Sequence, residues 1–179
     1  YLYRLGDRSL IRLTATTGEE EGAAFSPDGS RLAYVRDGNL FVRDLAADHE
    51  RQLTTDGKDN EILNGQNDWV YWEEIWNRQA TGFWWSPDSQ RIAYYRFDDR
   101  AVATYPLLDE RGTYPEIRWQ RYPKAGEVNP TVRIRVVELA TGIRHGKFIE
   151  AFAQGLVVIG EWRDHVHHVR EGLAHALAE

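Results

Sequence analysis

Short apolar runs broken by turn residues organise roughly the first 140 residues of this chain. Arg31-Leu32-Ala33-Tyr34-Val35-Arg36 is rich in β-branched and aromatic residues and predicts a strand. Asp37-Gly38 follows it, a pair that accepts the positive φ angles of a tight hairpin turn. Asn39 to Leu45 returns with alternating character, Asp48 to Gln52 is polar, and Leu53-Thr54 closes the unit. Strands this short and evenly spaced predict a propeller or a sandwich rather than a parallel α/β sheet.

An internal repeat sharpens that choice. Phe25-Ser26-Pro27-Asp28-Gly29-Ser30-Arg31-Leu32-Ala33-Tyr34 recurs as Trp85-Ser86-Pro87-Asp88-Ser89-Gln90-Arg91-Ile92-Ala93-Tyr94. Each copy reads as strand, tight turn, strand: Pro pre-sets φ, and Asp with Gly or Ser completes the turn through side-chain bonds to the backbone. A second marker, Arg12-Leu13-Thr14, recurs as Gln52-Leu53-Thr54. The Leu-Thr copies lie 40 positions apart, a propeller-blade length, whereas the Ser-Pro-Asp copies lie 60 apart. The difference predicts an insertion of roughly 20 residues between Thr54 and Ser86, in a loop joining two blades.

The insertion contains Asn67-Asp68-Trp69-Val70-Tyr71-Trp72-Glu73-Glu74-Ile75-Trp76. Asp68 is placed to N-cap a short helix, with Glu73 and Glu74 about a turn and a half further on. Adjacent helical positions point about 100° apart, so both carboxylates can flank one cation off that edge. Trp69, Tyr71, Trp72 and Trp76 supply apolar surface that would hold the helix and lower the local dielectric. From spacing alone the plainer reading is favoured: Glu73 and Glu74 are the solvated face of a small helix, and its aromatic residues are packing.

Composition narrows the function classes. The net charge of −6 argues against a nucleic-acid partner, because phosphate binding needs a basic surface. With no cysteine, disulfides and thiolate metal sites are excluded. The longest apolar run, Gly155 to Ile159, is far too short to cross a bilayer. There is no methionine and the first residue is Tyr1, which reads as a piece of a longer product. His165, His167 and His168 lack the spacing of a ligand set, so neither a metal nor a cofactor is expected.

Asp68-Trp69-Val70-Tyr71-Trp72-Glu73-Glu74 resembles the signature of the dipeptidyl peptidase IV family, a clan of serine peptidases related to prolyl oligopeptidase. The resemblance continues through Phe83 to Ser89, Ile92 to Asp99, Tyr114-Pro115 and Tyr122 to Val132, in the family's order and spacing, and covers residues 1–141. It implies a mainly β fold: a partial β-propeller of about three blades, with a short helical insertion. It also implies that Glu73 and Glu74 bind the free α-ammonium of a peptide substrate, supported by Asp68, Trp69 and Tyr71 of the motif. Trp72 stands where some members have a third glutamate, which is not the amine ligand. The implied function is the substrate-gating part of a peptidase that releases Xaa-Pro or Xaa-Ala dipeptides from N-termini. Its implied partners are peptide N-termini, a separate α/β-hydrolase catalytic domain, and a second copy of the chain through an arm at 102–122. A bacterial periplasmic, secreted or cytoplasmic setting is implied in the same way.

The family's nucleophile sits in a Gly-x-Ser-x-Gly elbow, and the five serines here (Ser9, Ser26, Ser30, Ser86, Ser89) stand in no such motif. No catalytic residue is therefore assigned, and these residues alone are expected to be inactive. Residues 142–179 are set apart as a tail unmatched to the family and expected to be helical. Phe148 to Val158 reads as one helix; a second begins at Asp164, with Val166, Val169, Leu173, Ala176 and Leu177 as its apolar stripe, a second candidate surface for self-association. Two alternatives remain: a non-catalytic binding propeller of the Tol-B-like kind, which also uses Ser-Pro-Asp-Gly turns but has no need of the acidic insertion, and an inactive truncated remnant.

Overall fold

The computed structural model of the chain describes residues 1–142 and the backbone strand 144–147. The helices expected in the tail, and His165, His167 and His168, lie outside the described residues. Strands β1 (Leu2–Tyr3) and β2 (Leu10–Ile11) form a two-stranded antiparallel pair. Then β3 (Glu20–Phe25), β4 (Arg31–Arg36), β5 (Asn39–Asp44) and β6 (His49–Gln52) make a four-stranded meander in chain order. The second large sheet contains β7 (Ile62–Asn64), β8 (Phe83–Trp85), β9 (Arg91–Asp98), β12 (Thr131–Glu138) and β13 (Arg144–Lys147). Its path is β13-β12-β9, with β8 on the first half of β9 and β7 on the second. Between β9 and β12 the chain leaves the sheet as a separate hairpin, β10 (Thr104–Asp109) with β11 (Glu116–Arg121). All pairings are antiparallel, and the whole is a mainly β, partial propeller: two blade-like sheets, with β1–β2 beside them as a short third piece. The hairpin β12–β13 spans position 141, so the sheet continues past the start of the expected tail.

Local chemistry accounts for these elements. Asp37 and Gly38 both take positive φ, 50° and 68°, and close the β4–β5 hairpin with Arg36 opposite Asn39. The repeated turn is built the same way twice. Ser26 Oγ donates to Asp28 Oδ1 at 2.6 Å, and the same oxygen accepts from the Ser30 backbone at 2.9 Å. Ser86, Asp88 and Gln90 repeat the arrangement, and the equivalent positions Gly29 and Ser89 both sit at positive φ. These turns also meet one another: Ser89 Oγ accepts from the Asp28 backbone at 3.2 Å, and the Ser89 carbonyl accepts from Arg31 at 3.0 Å.

The main core lies where the two sheets face each other. Ala33, Val35, Leu40, Val42 and Leu53 of the first sheet pack with Phe83, Ile92, Tyr94, Val137 and Leu139 of the second. The central strands β4 and β9 are apolar on both faces, which removes the alternation of a half-exposed strand. On the far side of β9, Tyr95 and Phe97 join Leu63, Tyr71 and Val132 in a second, aromatic core.

The mismatch of repeat periods has its cause in residues 55–82, which add β7 and a helical turn between the blades. The insertion leaves from the first blade's own hairpin turn. A Cβ on Gly57 would lie 2.2 Å from the Gly38 carbonyl oxygen, so only glycine permits that approach. The Leu53-Thr54 marker also acquires a reason. Leu53 is core, and the fully buried Thr54 accepts from the Leu40 backbone at 2.9 Å and donates to Asn39 Oδ1 at 3.2 Å. Asn39 Oδ1 in turn accepts from the Gly57 backbone at 2.9 Å. Thr54→Val, which keeps the shape but strands the Leu40 amide, is expected to lower unfolding stability by roughly 1–3 kcal/mol in urea titration. Thr54→Ser, which keeps the hydroxyl, is expected to recover most of that loss.

Candidate functional site

The insertion is fastened at its base by Asn67, whose side-chain amide donates to the carbonyls of Gln79 at 2.8 Å and Thr81 at 3.3 Å. Asp68 caps the helical turn as expected: its Oδ1 accepts from the Tyr71 backbone at 2.8 Å. The turn begins with an ordinary step, the Trp72 amide bonding the Asp68 carbonyl at 2.9 Å. It then widens into a π turn, α1 (Tyr71–Ile75), closed by the Trp76 amide on the Tyr71 carbonyl at 2.8 Å. Tyr71 is buried and anchors α1. Its ring meets Phe97 edge-on at 4.8 Å and Tyr95 at 5.9 Å, and Trp84 meets Tyr95 at 5.0 Å.

Glu73 and Glu74 lie on the outer side of this anchored turn, and they differ. After Trp76 the chain reverses through Asn77 and Arg78, both at positive φ. That reversal lays the Arg78 guanidinium on Glu73 in a two-bond fork of 3.0 and 2.9 Å. Arg78 holds the Glu73 carboxyl below the usual glutamate range. Glu73 is thus already paired within the chain. Glu74 is exposed and makes no ion pair among the described residues. Arg78 was missed because nothing in its spacing links it to Glu73; the turn-forming Asn77 was the available clue.

Two hollows flank α1. The larger, of 850 Å³, opens between the insertion and the arm hairpin β10–β11. Trp69, Trp72, Leu107, Leu108 and Trp119 form walls, with Asp68 and Asp99 at its floor. The smaller, of 460 Å³, is bounded by Trp76, Gln79, Thr81, Phe83 and Trp84. Glu73 and Glu74 line neither. The motif residues therefore divide: Asp68 and Trp69 face the larger hollow, Tyr71 is core, and the glutamate pair stands outside.

Burial shapes the floor. Asp68 is pushed up to about 6 by burial, against the lowering effect of its bond from the Tyr71 amide. Asp99 is pushed up to about 7 by burial, with the negative charges of Asp68 and Asp98 adding to it and Arg121 opposing. Asp99 is a site residue that pattern reading did not identify, since a second acid after a strand looks like an ordinary surface end. Among the described residues, no group of three or more His, Cys, Asp or Glu is placed to hold a metal ion. No described helix is long and apolar enough to cross a membrane.

Comparison with known proteins agrees with the site's motif. Residues 1–165 match the family described as the dipeptidyl peptidase IV N-terminal region. Dipeptidyl peptidase 4 of Sus scrofa is 36% identical over 146 residues, 78% of this chain and 18% of the relative. A probable dipeptidyl-aminopeptidase B of Podospora anserina is 42% identical over 130 residues, 66% of this chain and 14% of the relative. The crystal structure of Porphyromonas gingivalis dipeptidyl peptidase 4 superposes with a TM-score of 0.71 at 38% identity, over 79% of this chain and 20% of that one. The chain thus spans about a fifth or less of these relatives' length. With the Asp-Trp-Val-Tyr insertion between two matching blades, the chain belongs to the dipeptidyl peptidase IV family and carries part of its N-terminal region.

Proposed function

We propose that this chain is the substrate-gating propeller portion of a serine dipeptidyl peptidase, with Glu73 and Glu74 holding the free α-amine of a peptide. The observation that carries this reading is an acidic pair fixed on an anchored turn: α1 is pinned by Tyr71 in an aromatic core, and Glu74 faces solvent with no ion pair among the described residues. An α-amine is largely protonated at neutral pH and donates charge-assisted bonds that an internal amide cannot. Arg78 then acts as a place-holder on Glu73, orienting its carboxylate and offsetting like-charge repulsion within the pair until an ammonium arrives. Cleavage behind a bound N-terminus, releasing Xaa-Pro or Xaa-Ala dipeptides, belongs to an α/β-hydrolase domain outside these residues. The arm supports self-association in this reading, since Leu108, Ile117 and Trp119 are each about 60% exposed along one hairpin.

A short Xaa-Pro peptide is expected to bind the chain in calorimetric titration, and its N-acetylated form to bind at least tenfold more weakly. Replacing both Glu73 and Glu74 with Ala should abolish that preference; equal binding of both peptides to the unaltered chain sinks the assignment. Arg78→Ala is expected to strengthen amine binding about two- to fivefold, the range of an exposed ion pair, because Glu73 no longer has an internal partner. Weaker binding in that variant would make Arg78 an essential orienting group instead.

A further inference from the structure

One carboxylate oxygen buried against the larger hollow has no hydrogen-bond partner among the described residues. Asp99 is only 3% exposed, and its Oδ1 has no hydrogen-bond partner. Asp68, 5% exposed, uses Oδ1 on the Tyr71 amide, and its other oxygen accepts no hydrogen bond among the described residues. On the strand end, Asp98 is held by Arg100 and Arg96. From the arm, Arg121 spends donors on the carbonyls of Val102 at 2.6 Å and Asn60 at 3.3 Å, and pairs with neither acid. At the rim, Arg111 and Arg118 are drawn to Asp109, at 2.6 and 3.8 Å. From the insertion, Tyr71 stands beside Asp68 and Asp59 lines the same hollow, as do Glu21 of β3 and Glu110 of the arm; none adds positive charge.

We propose that this hollow is a docking site for an arginine side chain presented by a partner polypeptide. The unpartnered carboxylate oxygen calls for a donor, and the walls select a flat cationic one. Trp69 and Trp72 sit 5.3 Å apart at an angle of 59°, with Trp119 on the arm side, giving indole faces on which a flat guanidinium stacks. Leu108, on the same hairpin face as Trp119, offers apolar contact for the methylene stem. A guanidinium carries five donors in a planar fork, whereas an ammonium is a compact charge more strongly held by water. Burial raises both acids toward neutrality, so docking a cation there displaces protons, and affinity rises as pH climbs through the range of about 6 to 7.

The test uses probes whose amino group is blocked, so Glu73 and Glu74 have no α-ammonium to hold. N-acetyl-arginine-N-methylamide is titrated into the chain against its neutral isostere, the citrulline derivative, and the lysine derivative, by tryptophan fluorescence. Expected are saturable binding of the arginine probe, at least tenfold weaker binding of the other two, and tightening between about pH 5.5 and pH 8. Asp99→Asn, and separately Asp68→Asn, which retains an N-cap, should each weaken it about tenfold or more. Folding of the first variant is checked by its melting temperature. Because Asp99 gains a proton on folding, ionisation costs stability as pH rises from about 4 to 7, so Asp99→Asn should melt higher than the unaltered chain at pH 8 and equally at pH 4. Equal binding of arginine and citrulline or lysine probes, no saturable binding, or unchanged affinity in both variants would overturn the proposal.

Discussion

Everything in this chain hangs on one contact, the apolar face shared by the two large sheets. A blade's middle strands are buried on both sides, so neither sheet is stable until something covers it. Here each covers the other through Val35, Leu40, Phe83, Ile92 and Val137. Hydrophobic contact alone does not fix the rotation of two sheets, and polar bonds at the ends do that. The repeated Ser-Pro-Asp turns bond to one another through Ser89, and Trp85 Nε1 reaches the Ala24 carbonyl at 3.2 Å. The repeat thus serves twice, shaping each hairpin and locking neighbouring blades in register.

That lock creates the functional geometry. The insertion between the blades is pinned at three places: at Gly57 against Gly38, at Asn67 across its base, and at Tyr71 in the aromatic core behind β9. A loop anchored so often has little conformational entropy left to lose when a ligand arrives. The anchoring residues are apolar or neutral, and the charges are left at the margins, with Glu73 and Glu74 outward and Asp68 and Asp99 inward.

How much of this was legible in the sequence follows from where each residue's constraint lies. Asp37-Gly38, the Ser-Pro-Asp turns and the strand Arg31–Arg36 carry their constraint locally, in allowed φ and in bonds over two to five residues, so pattern reading found them. Asp68 as an N-cap is local for the same reason. The polar run read at Asp48 to Gln52 contains β6, an outer strand with little to bury and therefore no apolar signal. β7 is three residues long and defined only by its partner β9. The bond between Arg78 and Glu73 depends on two residues adopting left-handed φ, and the burial of Asp99 depends on an arm and an insertion that meet only in the fold. Neither leaves a trace in spacing.

The two acidic pairs on either side of α1 show why position outranks residue type. Glu73 and Glu74 are adjacent in sequence and near solvent, and the Arg78 guanidinium holds the Glu73 carboxyl below the usual glutamate range. Asp68 and Asp99 are 31 positions apart and line the same hollow, where burial pushes both toward the protonated form. An exposed pair can exchange one cation for another at small cost, which suits a site that must release what it binds. A buried pair gains far more from a fitting cation and discriminates more sharply against a poor one, which suits lasting contact. The same chemical group, divided by a single helical turn, is therefore placed in two different electrostatic settings.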